Sequence, residues 1–359
     1  IEARHHGLFV TINSIYDHST LRGMAIHCQS KTIFSKKSNE ASHLLYLPAE
    51  RWFQAQKFAE PNQWNQWLTL PLHSEVDVER LQTSMDHVFR AIFPMAQPST
   101  AIKVLQKSKE SMPLVEQISR LKQTIENSID IKQKIYYSYG FLISGQETRC
   151  VVVVHHLVID IVSWYLLLDA FVKTYQKGVL SDLPSPAHIL LPKIYQHLEH
   201  MNWSKELAYW QTYPKGQNDF HVTQPSVLTK SLSLPLHSIS YSELLSFILM
   251  AIVKSKIEEI PYIALEGHGR GLGNYEDEAA HTIGWVAALY PFYVPEQNLD
   301  HYQWQLHVEK ALQQLPENGQ HFGFLRYACQ DSSIRHQLQN LRLPKVCFNY
   351  LGYVSIKTN

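Results

Sequence analysis

The chain is short of cysteine, has no excess of either charge and contains no long apolar run, and each shortage removes a class of protein. Its four cysteines, Cys28, Cys150, Cys329 and Cys347, are scattered with no C-x-x-C pair. Zinc ligation asks for closer pairing and a disulfide scaffold for a smaller, cysteine-richer chain, so buried thiols in a reducing compartment are expected. Lysine plus arginine equals aspartate plus glutamate at 32 each, which leaves no electrostatic footprint for nucleic acid or an anionic membrane. No stretch approaches the roughly 18 to 20 apolar residues that span a bilayer, and no signal peptide opens the sequence. A cytoplasmic protein without membrane or nucleic-acid partners is the expectation.

What is present is a globular composition, 45% hydrophobic and 18% charged over 359 residues, which exceeds one ordinary core and suggests two lobes. The stretch Val151–Trp164 organises the first. Four consecutive valines, Val151 to Val154, read as a strand buried on both faces. His155 and His156 follow at the strand end. Asp160 stands where a helix starts, with Ile161, Trp164, Leu168, Phe171, Val172 and Tyr175 recurring behind it at helical spacing. An imidazole on a short strand-to-helix connection is suited to moving a proton near neutral pH.

Periodicity predicts helices over Asp77–Ile92 and Lys107–Ile129, and strands over Lys134–Ser144 and Arg149–Val158 joined by Gly145-Gln146-Glu147. Gly7–Ser14 and Met24–Cys28 read as short strands in a poorly patterned opening. Pro48–Phe53 and Trp64-Asn65-Gln66 read as a helix start with aromatic residues packing inward. Leu183-Pro184-Ser185-Pro186 reads as an extended passage between lobes. An apolar helix is expected over Ser242–Lys256, capped by Ser242. The strand after Pro261 ends in Glu266, and Gly267 and Gly269 let the backbone bend tightly. A dinucleotide loop is excluded there: Leu272 stands where the last glycine of G-x-G-x-x-G belongs, and the acidic Asn274–Glu278 is a poor start for its helix.

His155-His156-x-x-x-Asp160 followed by Val162-Ser163-Trp164 resembles the HHxxxDG motif of the condensation superfamily of nonribosomal peptide synthetases, in its epimerization branch. Pro48–Phe53 is similar to that branch's P-x-x-x-W-F, and Trp64-Asn65-Gln66 to its W-N-Q. Glu266-Gly267-His268-Gly269-Arg270 is similar to EGHGR, and Thr282-Ile283-Gly284-Trp285 with Tyr290-Pro291 to TVGWFTxxYP. Gly323–Tyr327 resembles G-x-L-R-Y, and Phe348–Gly352 matches F-N-Y-L-G. The motifs keep family order. The sequence departs at Ile161, where the motif has glycine, at Gly271, where it has glutamate, and at Val286-Ala287, where it has F-T; the second H-H-D-x-L-R element is absent.

The resemblance implies an α/β fold of two chloramphenicol-acetyltransferase-like lobes in a V, each a mixed sheet covered by helices. Residues 1–42 would be a linker or extension, 43–180 the lobe carrying HHxxxD, and 181–359 the lobe carrying EGHGR, TIGW and FNYLG. The implied activity is inversion at Cα of an aminoacyl or peptidyl thioester, brought in on the phosphopantetheine arm of a peptidyl carrier protein within a larger synthetase. No metal and no cofactor of its own are implied, and the isolated domain would be monomeric. His156 and Glu266 would exchange the proton, one on each face of a planar enolate. His155, Asp160, Arg270, Asn349 and Tyr350 would support them: Asp160 pairing with an arginine to fix the His156 loop, Asn349 or Tyr350 donating to the oxyanion. Ser163, Trp164 and Trp285 would line the substrate channel. Two alternatives stay open: a carrier-binding module of this superfamily with weakened catalysis, and an acyltransferase or condensation enzyme in which His156 serves a nucleophilic amine or hydroxyl.

Overall fold

The valine run sits at the middle of a four-stranded sheet. In a computed structural model, which describes residues 45–97, 105–107, 112–144, 147–216, 239–271, 275–296 and 299–350, the first elements in chain order are α1 (Pro48–Gln56), β1 (Asn65–Leu72), α2 (Val78–Ile92), β2 (Leu105–Lys107), α3 (Leu114–Glu126), β3 (Tyr137–Ser144), β4 (Glu147–His155) and α4 (Ile161–Lys177). The expected strands Gly7–Ser14 and Met24–Cys28, the extension 1–42 and the turn residues 145–146 lie outside the described residues.

The sheet order is β1-β4-β3-β2, with β4 antiparallel to both neighbours and β2 parallel to β3. Successive side chains of a strand point to opposite faces. Val152 and Val154 therefore pack with Phe89, Tyr137, Leu167 and Phe171 under α2 and α4. Val151 and Val153 pack with Leu121 and Ile125 of α3 on the other face. All four valines are fully buried, each worth about 1.5 kcal/mol or more of burial. Asn65–Leu72, its opening expected as a helix start, is instead strand β1; among the described residues it is the outermost strand of its sheet, a position that tolerates Pro71, which has no N–H to donate.

The chain continues through β5 (Ser185–Pro186), α5 (Ala187–Glu199), α6 (Ser204–Gln211), α7 (Tyr241–Lys254), β6 (Tyr262–Gly267), α8 (Glu276–Ala280), β7 (Thr282–Ile283), β8 (Ala288–Tyr293), α9 (His301–Gln314), α10 (Ser332–Gln339) and β9 (Cys347–Asn349). A second, three-stranded sheet has the order β8-β6-β9, with β6 antiparallel to β8 and parallel to β9. Its core gathers Trp210, Leu245, Leu249, Tyr262, Leu265, Phe292 and Phe322. Both sheets are mixed and helix-covered, as expected.

The chain divides into two compact units, Ile1–Gln196 with Gly273–Val286, and His197–Leu272 with Ala287–Asn359. The expected boundary near residue 180 and the expected place of Thr282–Trp285 in the C-terminal lobe both differ from this. The reason is local pairing: β5 and β7 are parallel partners, Ser185 with Thr282 and Pro186 with Ile283, so the Leu183–Pro186 stretch ends inside the first unit.

α2 starts behind Asp77, whose carboxylate accepts the N–H groups of Glu79 and Arg80. α7 is capped by Ser240, not Ser242: the Ser240 hydroxyl accepts Glu243 N–H, while Ser242 donates to Glu309 at 2.9 Å. Of the cysteines, Cys150 is buried as expected, but Cys329 is half-buried and Cys347 exposed on the short β9. Among the described residues no helix is long and apolar enough to cross a membrane.

Candidate active site

β4 ends at His155, and His156 opens a turn of 3-10 helix over His156–Val158 before Asp160 caps α4. The His155 ring is fully buried. Its Nε2–H donates to the Pro61 carbonyl at 2.8 Å and its Nδ1 accepts Leu157 N–H at 3.2 Å, which leaves no site for a second proton. Burial pulls its pKa down to about 4, against the Pro61 contact, which raises it. His155 is thus a buried ring held at both nitrogens by backbone groups.

The hydrogen bonds around His156 fix its protonation. An indole N–H only donates, so Trp164 Nε1 gives its proton to Gln66 Oε1 at 2.8 Å. The Gln66 amide nitrogen then faces His156 Nε2 at 2.9 Å and donates to it. At the far side of the ring Nδ1 lies 2.8 Å from the Ile159 carbonyl, which only accepts. His156 is thus neutral, with its proton on Nδ1 and a lone pair on Nε2. Burial holds its pKa below the ordinary histidine value, opposed by the Ile159 carbonyl and by the Asp160 charge. Trp285 stacks on the ring, centroids 4.0 Å apart.

Asp160 organises this turn. Its Oδ1 accepts Ser163 N–H at 2.8 Å and the Ser163 hydroxyl at 2.7 Å, and its Oδ2 accepts Val286 N–H at 3.0 Å. The Ser163 hydroxyl in turn accepts Gly284 N–H at 3.1 Å. These contacts join the His156 loop to the Gly284-Trp285-Val286 segment. Ser163 and Trp164, expected along a channel, are buried in the packing beside His156, and Trp285 is its stacked lid. Ile161 lies 37% exposed at the first turn of α4, next to this site.

A cavity of about 340 Å³ adjoins the turn, lined among others by Glu50, Tyr136, Leu157, Val158 and Ile283. Glu50 accepts Leu47 N–H at 2.7 Å, and burial pushes its carboxyl up to about 7, against that hydrogen bond and the Arg51 charge.

In the second unit β6 is buried along Tyr262–Leu265 and emerges at Glu266. Glu266 is in register with Asn349 of β9, and the Asn349 amide donates to Glu266 Oε2 at 3.0 Å. Asn349, expected as a possible oxyanion donor, thus holds the carboxylate. Arg270 is almost fully buried and donates to the His268 carbonyl at 3.0 Å, while its own N–H donates to His268 Nδ1 at 3.0 Å. Tyr350 packs against Tyr241 at the start of α7, ring centroids 5.3 Å apart. Gly271 N–H donates to Gln320. Among the described residues no three His, Cys, Asp or Glu side chains converge as metal ligands.

Gln66 belongs to the site although Trp64-Asn65-Gln66 stands out in the sequence only as a motif. The available signal is a polar residue in a strand whose register places it opposite Val154, next to the histidines. The buried pair of His321 and Glu206, 3.1 Å apart in the second unit, belongs to no motif.

The condensation domain family matches residues 41–233, and this chain belongs to it. The fold is that of the chloramphenicol-acetyltransferase-like condensation domains. The crystal structure of the epimerization domain from the third module of tyrocidine synthetase B is similar with a TM-score of 0.70 at 22% identity, over 88% of this chain and 81% of that one. The starter condensation domain of rhizomide synthetase RzmA, in a mutant bound to C8-CoA, gives 0.60 at 14% identity over 85% and 77%. Among curated proteins, surfactin synthase subunit 1 of Bacillus subtilis (strain 168) is 22% identical over 97% of the chain, and tyrocidine synthase 2 of Brevibacillus parabrevis 22% over 96%. The chain spans only 11% of the length of each of those two relatives.

Proposed function

We propose that this domain inverts the Cα configuration of an aminoacyl or peptidyl thioester carried on the phosphopantetheine arm of a peptidyl carrier protein. A thioester acidifies its α-proton. Removing that proton to a base gives a planar enolate, and returning a proton to the opposite face gives the inverted centre. The sequence of steps is redox-neutral. For one hand of the substrate His156, neutral with a lone pair on Nε2, takes the α-proton and Glu266, entering as the carboxylic acid, returns its proton to the opposite face. For the other hand the Glu266 carboxylate takes the proton and protonated His156 returns one.

The observation that carries the reading is the Glu266–Asn349 pair: a carboxylate at a strand end, oriented by an amide at 3.0 Å. Joining an amine to a thioester asks for one proton acceptor; inversion asks for two groups that serve opposite faces. The likeness to an epimerization domain points the same way. A carrier protein as partner is in keeping with relatives that are synthases many times longer than this chain.

The test is chiral analysis of the cargo released from a loaded carrier after incubation with wild type, His156→Ala and Glu266→Gln, with loss of Cα deuterium measured in parallel. Inversion by wild type and its loss in both variants is expected. A second reading, condensation, is favoured by the family match itself; it predicts a new amide on an acceptor carrier and no loss of Cα deuterium.

A further inference from the structure

We propose that Gln66 and Trp164 act together as positioning residues for His156, holding its ring neutral with the lone pair on Nε2, and that Trp164 acts only by fixing which way the Gln66 amide points. The inference deepens the proposed role of His156 and rests on that reading only for its catalytic meaning; the geometry stands apart from it.

A glutamine amide presents an oxygen that accepts and a nitrogen that donates, and the two can exchange places by rotation of the terminal group. Beside a histidine the two orientations have opposite effects. With the nitrogen toward Nε2, a second proton on the ring would face an N–H and is disfavoured. With the oxygen toward Nε2, that proton would be accepted and the imidazolium favoured. Here Trp164 makes the choice. Its indole can only donate, and it lies 2.8 Å from Gln66 Oε1. Turning the amide over would set an N–H against the indole N–H of the buried Trp164 and leave that donor without its acceptor. The amide nitrogen is therefore held toward His156 at 2.9 Å.

Around the ring, β4 contributes His155, already saturated by Pro61 and Leu157, and the residue before α4 contributes Asp160. β1 contributes Gln66, and the Gly284–Val286 segment contributes Trp285, which stacks without titrating. Asp160, whose charge favours the imidazolium, is engaged by Ser163 and Val286. The lone pair that a base needs is thus present but occupied, and a substrate C–H must take the place of the Gln66 N–H.

The test is a nitrogen NMR titration of the full chain with isotope-labelled histidine, the His156 signals being assigned by their loss in His156→Gln. Wild type should show the proton on Nδ1. Trp164→Phe should move the protonation midpoint of His156 upward although the Trp164 N–H bonds to Gln66 and not to the ring, because the freed amide turns its oxygen to Nε2. Gln66→Leu should also raise it, and Trp164→Phe added to Gln66→Leu should change it no further. A wild-type ring protonated on Nε2, or a folded Trp164→Phe with an unmoved midpoint, overturns the proposal. If Trp164→Phe does not fold, an unmoved midpoint in Gln66→Leu overturns it. The readout needs no turnover: absence of inversion with the titration as described defeats the functional reading alone.

Discussion

The Ser163 hydroxyl accepts the backbone N–H of Gly284 at 3.1 Å, joining two residues 121 positions apart. That contact ties the first turn of α4 to the segment that stacks Trp285 on His156. It makes the site a property of two distant stretches of one unit.

Replacing Ser163 with alanine removes the hydroxyl and leaves a buried N–H without its partner. The expected loss of stability is about 1–3 kcal/mol. Urea unfolding followed by tryptophan fluorescence measures it, and an unchanged midpoint would show that Gly284 N–H finds another acceptor.

Gly284 has no room for a side chain. A Cβ built on it would lie 2.7 Å from Ala187 Cβ and 3.4 Å from a Leu47 methyl. Gly284→Ala should cost about 1–3 kcal/mol through overpacking and loosen the Trp285 stack. The double variant Gly284→Ala with Ala187→Gly should recover part of that loss, because the nearest clash is with the Ala187 methyl.

How much of the site is legible in the sequence follows from how far apart the partners lie. The valine strand, the Asp160 cap and α2 depend on neighbours within a few residues, and each is readable from period and cap chemistry. The α7 cap is misplaced by sequence because Ser240 and Ser242 are equally suited locally; Glu309, 67 positions on, takes the second hydroxyl. Trp64-Asn65-Gln66 reads as helix-start packing because nothing in its own neighbourhood announces a strand. Its partner strand is β4, and Gln66 meets His156 across 90 positions. Likewise the carboxylate of Asp160 is legible as a cap, while its contact with Val286, 126 positions away, is not.

His155 predicts how stability falls in acid. Its pKa is about 4 in the folded protein against the ordinary 6.5, so the unfolded chain binds the extra proton first. Its neutral burial contributes fully above pH 6.5, and the contribution is lost as pH falls from 6.5 towards 4. His155→Gln should flatten that part of the stability profile, as read from denaturation midpoints at a series of pH values.

Glu50 works in the opposite direction. Its carboxyl is raised to about 7 from 4.5, so the folded state is favoured below pH 4.5 and that advantage disappears as pH rises through 7. Glu50→Gln keeps an acceptor for Leu47 N–H without the charge. It should stabilise the protein above about pH 7, by at most about 3 kcal/mol, and bring no gain at about pH 4.

The first unit is assembled from two separated lengths of polypeptide, and Trp285 arrives with the second. A single scission after Gln196 would leave the histidine turn without its stacked indole and Asp160 without the Val286 amide. Anyone grafting pieces of such domains between synthetases must therefore carry residues 273–286 along with the amino-terminal half, or supply a matching return segment from the recipient.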